Sequence, residues 1–179
     1  MKNFLKKSLL LIFALVLAVS LIACEGKKQR PAPSDDDGDS QGASEDAIVF
    51  SVIYDGVEME LGKPASSVLN ALGEPNAKQE VFDCGEGNSR MLYQYSSFDL
   101  YTMKIDGEET IDEIELRDDA PETAAKIMIG SSEADVRKAY GTPSEASDTK
   151  LTYASGKMEL TIDLTNGKVS GINLFRNTK

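Results

Sequence analysis

Apolar and polar residues alternate near the C-terminal end of the chain, where Met158, Leu160, Ile162 and Leu164 are interleaved with Glu159, Thr161 and Asp163. A period of two sets one face of a strand against a core and the other in water. Asn166-Gly167 follows, a pair suited to a tight hairpin turn, and a return strand is predicted over residues 169–175. The same order occurs earlier: Tyr101, Met103 and Ile105, then Asp106-Gly107, then an apolar-alternating stretch over 111–116. In both return strands the alternation slips by one residue, Val169 against Ile172 and Leu174, and Ile111 against Ile114 and Leu116. Such a slip predicts a bulge in each strand. Near the start of the patterned region, residues 48–54 and 57–61 flank Asp55-Gly56 and predict one more hairpin.

Two stretches instead carry the period of a helix. Residues 61–75 align without a gap on 129–143, and Val68, Ala71 and Leu72 match Val136, Ala139 and Tyr140. This i, i+3, i+4 stripe belongs to a short helix with one face on a core. Ser132 with Asp135 reads as a capping box and Pro64 suits a first helical turn. Gly73 and Gly141 suit a left-handed stop, each with a proline two residues on. The fold expected is α+β: two tandem repeats, each a helix plus an antiparallel three-stranded meander in two layers, at about 57–117 and 125–176, preceded by a β-hairpin. Residues 118–128 are expected to join them, with a helical turn around Ala120 to Ala125.

The first 47 residues differ in kind. Lys2, Lys6 and Lys7 precede an apolar run that ends in Leu21-Ile22-Ala23-Cys24, the layout of a secretory signal peptide with a small residue before the cut. The run is shorter than the roughly 20 residues that cross a hydrocarbon core. Its ending resembles the lipobox of bacterial lipoproteins, which implies a signal peptide over 1–23 and a lipid on the Cys24 sulfur. The chain is then expected on the extracytoplasmic face of the bacterial cell membrane, held there through that lipid. The whole chain has 19 basic and 30 acidic residues and a net charge of −11. Loss of three lysines and no acids with the leader makes it −14, so nucleic acid and anionic headgroups are unfavourable partners. Residues 24–47, rich in Asp, Ser, Gly and Pro, read as a disordered acidic linker. Asp35, Asp36, Asp37 and Asp39 do not complete a calcium loop, since six residues after Gly38 stands Ser44 where a bidentate Glu is needed.

Residues 48–179 remain for one domain. Cys84 is then the one unmodified cysteine, so no internal disulfide is available and packing carries the stability. The chain has no histidine, which removes Ser-His-Asp and Cys-His hydrolysis and His-ligated zinc. No phosphate loop follows a strand, because Gly85-Glu86-Gly87-Asn88 lacks the Lys-Ser/Thr and the helix. No cofactor and no metal site are expected, and no catalytic residue is assigned. The acids Glu108, Glu109, Asp112, Glu113, Asp118 and Asp119 read as a solvated strand edge.

The first patterned half carries about ten extra residues around 80–90, read as a loop and as a candidate for partner binding. Asp83, Glu86, Asn88, Arg90 and Tyr93 are the candidate contact residues, with Tyr93 expected to be exposed and Tyr95 and Tyr153 in the core. A helix ending in Gly-x-Pro before a meander resembles the tandem unit of the beta-lactamase-inhibitory-protein fold and the assembly lipoproteins of the BamE type. Residues 93–95, 98–102, 111–119, Ile129-Gly130 and Tyr140-Gly141 also resemble a group of lipoproteins from Gram-positive anaerobes. The resemblance implies a scaffold that holds another protein against its sheet. The function expected is a membrane-anchored, non-catalytic binding module for a protein or cell-envelope partner. The alternatives are a small carboxylate-dependent cell-wall hydrolase and a structural envelope component.

Overall fold

The computed structural model describes residues 48–82 and 89–177; the Cys24 anchor, the linker, and Asp83, Cys84, Glu86 and Asn88 lie outside them. Strands β1 (Ser51–Tyr54) and β2 (Val57–Glu60) form the first hairpin. Asp55 at φ 49° and Gly56 at φ 78° make its turn, the two positive values that a primed turn needs. The two strands join β7 (Glu122–Thr123) in a three-stranded sheet of order β2-β1-β7. Residues 118–128 therefore contain a strand and turns and no helical turn, because Ser51 and Val52 offer an unpaired edge that Thr123 and Ala124 take up.

The remaining strands are β3 (Ala77–Phe82), β4 (Ser89–Gln94), β5 (Phe98–Ile105), β6 (Glu108–Leu116), β8 (Glu145–Ala146), β9 (Lys150–Ser155), β10 (Met158–Thr165) and β11 (Lys168–Arg176). They form a single antiparallel sheet in the order β3-β4-β5-β6-β11-β10-β9-β8. This corrects the expected architecture of two helix-plus-three-stranded-meander repeats. The described chain is mostly β, 53% strand against 12% helix, and its strands make one continuous eight-stranded sheet. The reason is physical: β6 and β11 pair with each other, Leu116 opposite Ile172 and Ile114 opposite Leu174, and alternation reveals a strand's faces but not its neighbours.

Both predicted slips coincide with register shifts. Tyr101 faces Glu113 while Thr102 faces Ile111, leaving Asp112 as the extra residue; Asp163 faces Gly171 while Leu164 faces Val169, leaving Ser170. At each bulge the strand changes partner. Beyond Asp112, β6 leaves β11 and bonds to the segment before the first helix, through Gly62 N–H to the Ile111 carbonyl (2.8 Å) and Ala65 N–H to the Glu109 carbonyl (2.8 Å). Beyond Ser170, β11 does the same with Gly130 N–H to the Val169 carbonyl (2.8 Å) and Glu133 N–H to the Gly167 carbonyl (3.0 Å).

These lead-ins set α1 (Ser66–Leu72) and α2 (Glu133–Tyr140) across one face of the sheet. Helices of seven and eight residues are too short to persist alone, so packing must hold them. Ser132 caps α2 by accepting from the Asp135 N–H at 3.2 Å. α1 has no side-chain cap, and Pro64 stands before the helix, bridged to Thr110, not in its first turn. Val68, Leu69, Leu72, Val136 and Tyr140 pack with Val52 and Met59 of the small sheet onto Phe98, Leu100, Ile114, Leu151, Leu160, Ile162 and Leu174 of the large one. Tyr95 and Tyr153 also belong to this core. Each such side chain contributes about 1.5–3 kcal/mol by leaving water.

Gly73 closes α1 at φ 74° and ψ −161°, which is positive φ with extended ψ and not the left-handed helical stop. Almost no residue but glycine adopts this region. Gly73→Ala is expected to lower stability by about 1–3 kcal/mol through backbone strain, since open space surrounds the position and a methyl group meets nothing. An unchanged urea midpoint would count against it.

Candidate functional site

Strand β4 decides what the candidate residues can do together. Arg90 and Tyr93 lie three positions apart in it, and in a strand an odd separation places side chains on opposite faces. The structure therefore divides the expected site between two surfaces. The extra residues around 80–90 are also not simply a loop: Val81 and Phe82 end β3 and Ser89 and Arg90 begin β4, in register Val81 to Arg90 and Phe82 to Ser89.

Tyr93 faces inward. It is 4% exposed, which corrects its expected role as an exposed contact, because β4 presents it toward the core side while Leu92 and Arg90 take the other. Its hydroxyl donates to Glu109 Oε1 at 2.6 Å, and the Thr102 hydroxyl donates to the same oxygen at 2.6 Å. Lys78 lies over the Tyr93 ring with Nζ 4.7 Å from its centre. Burial raises the Glu109 pKa, but the Thr102 and Tyr93 hydrogen bonds and the charges of Lys78 and Lys104 outweigh it, and the carboxyl ends below its usual range. The Tyr93 hydroxyl in turn raises the Lys78 pKa. Lys78, Met91, Tyr93, Thr102, Lys104 and Glu109 line a groove of about 240 Å³. Its lining mixes the Met91 side chain and the Tyr93 ring with charges of both signs.

Arg90 faces outward into a different neighbourhood. Its Nε stands 3.0 Å from Asp112 Oδ2 and its Nη2 2.5 Å from Glu113 Oε2, while its guanidinium stacks 4.6 Å from the centre of the Tyr101 ring. The bulge explains the double engagement: the extra residue turns two successive acids toward one arginine. Asn173 Nδ2 donates to the other Glu113 oxygen at 2.8 Å, and Arg176 Nη1 lies 3.9 Å from Asp112 Oδ1. Arg117 pairs with Asp99 farther along this face. Burial pushes the Asp112 pKa up, against the pull of Arg90 and Arg176.

The expectation that the acids of this region form a solvated edge is corrected here for three of them. Asp112 is 5% exposed, and Glu109 and Glu113 are half-buried and hydrogen-bonded. Glu108 and Asp119 are exposed. The missed partners were Tyr101, Asn173 and Arg176; the slip in alternation at Asp112 was the signal that could have found them.

Among the described residues no element covers the outer face. The helices and the three-stranded sheet all join the core on the inner face, and Leu92, although buried, lies outside that core. Among the described residues no group of acids, cysteines or histidines is placed to hold a metal ion. No protein-family model matches the chain, and comparison with curated proteins gives no match. A crystal structure of a cysteine-rich secretory protein from Staphylococcus aureus is similar to it at 11% identity and a TM-score of 0.44, over 65% of this chain and 44% of that one. The chain thus spans less than half the length of that protein.

Proposed function

We propose that this protein is a lipid-anchored extracytoplasmic lipoprotein whose folded domain binds a protein or cell-envelope partner through the outer face of its large sheet, without catalysis. The anchor reading is supported by the basic start, the apolar run and the Leu21-Ile22-Ala23-Cys24 ending. The binding reading is supported above all by one observation: an outer sheet face that no described element covers, whose central side chains are already fixed. Arg90, Tyr101, Glu113 and Asn173 restrain one another through ion pairs, stacking and hydrogen bonds. A surface restrained before contact loses little side-chain entropy on binding, which removes one of the costs a partner must offset. Tyr101 and Phe175, both half-buried, offer apolar area with limited rotamer freedom beside those charges.

The test is capture from intact cells. An affinity-tagged full chain, crosslinked in place, is expected to retain a discrete envelope component that Tyr101→Ala/Phe175→Ala loses by about ten-fold, the size expected when aromatic anchors are truncated. Equal recovery by the double variant would remove the outer face from the proposal. Recovery of nothing above an unrelated lipoprotein control would remove the partner.

A further inference from the structure

The two ends of the large sheet differ. At one end β8 has two residues, while at the other β3 has six and, among the described residues, is paired along one side only, with β4. Five of the six are exposed, and Phe82, at 71%, is the most exposed large apolar side chain among the described residues. An edge of this length invites another strand unless its charges forbid it.

Its charges select one strand. An antiparallel self-pairing of Ala77-Lys78-Gln79-Glu80-Val81-Phe82 that keeps faces in common and most of the strand paired can centre on Lys78, Gln79 or Glu80. Centring on Lys78 opposes two lysines and centring on Glu80 opposes two glutamates. Centring on Gln79 sets Lys78 of each copy against Glu80 of the other, twice, on one face, and Ala77 against Val81, twice, on the other. Opposite charges directly across a strand pair attract and like charges repel, so one register of the three is favoured.

We propose that β3 is a self-recognition edge, on which a second copy of this chain adds its own β3 antiparallel about Gln79 to continue the sheet across a two-fold axis. The arrangement is isologous and closes on itself, which limits assembly to a dimer. Six residues of strand form a small interface, below the area of a stable dimer in dilute solution. Pairing is therefore weak and grows with local concentration. The proposal concerns β3 alone and stands whether or not the outer face binds a partner.

The experiment uses full chain in intact cells, with Cys84→Ser to remove the other domain thiol and Gln79→Cys to mark the axis. A short bismaleimide is expected to give a covalent homodimer well above the Cys84→Ser background. Adding Lys78→Glu opposes two glutamate pairs and is expected to lower the yield about ten-fold. Lys78→Glu with Glu80→Lys restores opposite charges and is expected to restore the dimer, although the Lys78 contact with Tyr93 is gone. No dimer above background, an adduct with a different protein, an unchanged yield with Lys78→Glu, or failure of the double exchange to restore it each overturns the proposal.

Discussion

Arg90→Ala is expected to destabilise the domain by about 3 kcal/mol, at the lower end of the range for removing one partner of a buried ion pair. The arginine side chain is 19% exposed and its two acids are 6% and 19% exposed. Removing it leaves two adjacent carboxylates facing each other in a poorly solvated bulge, and takes the cation from the Tyr101 ring as well. The loss depends on pH with a definite sign. The Asp112 pKa is already raised by burial and loses its main opposing charge in the variant. The folded state then holds its proton more tightly than the unfolded state does, so stability falls as pH rises through the interval above the unfolded carboxylate pKa. The penalty is therefore full at neutral pH and shrinks on acidification toward that unfolded value. Urea midpoints for Arg90→Ala and for Arg90→Ala/Asp112→Asn check this. The second change is expected to recover part of the loss, and a strictly additive result would show that the two residues do not interact.

Cys24→Ser is expected to produce the largest cellular change. Each methylene of an attached chain contributes about 0.8 kcal/mol to membrane affinity, so two or three acyl chains hold stably and none leaves nothing to hold. The described residues supply no substitute. Among the described residues no helix is long and apolar enough to cross a membrane, and the acidic body is repelled by anionic headgroups. Labelled palmitate should be incorporated by the native chain and not by the variant. The pellet after membrane fractionation should lose it by at least about ten-fold, since even one lost chain is worth several such factors. Equal labelling, or equal recovery in the pellet, would reject the anchor.

Legibility in the sequence followed how local each signal was. Asp55-Gly56, Asp106-Gly107 and Asn166-Gly167 were readable because two adjacent positive φ values demand such pairs, and all six residues have them. The bulges at Asp112 and Ser170 were readable because one extra residue shifts every later side chain to the other face. The join between β6 and β11 was not, since residues 56 to 62 apart meet there and nothing in either strand names the other. β3 escaped for a different reason. An edge strand with Lys78, Gln79 and Glu80 in sequence has no buried face and hence no alternation, so the segment read as loop and the charge arrangement of its neighbours was hidden with it. That misreading also grouped Arg90 with Tyr93. Once the segment is known to be a strand, their separation alone puts the stacked arginine on one side and the buried hydroxyl on the other.

In the lipid-anchored arrangement proposed above, the place of β1 acquires a mechanical meaning. Any tension drawn through residue 48 enters at Phe50 and passes directly into the middle strand of the three-stranded sheet, gripped by β2 on one flank and β7 on the other. In that arrangement load from the envelope reaches this small clasp before it reaches the broad sheet.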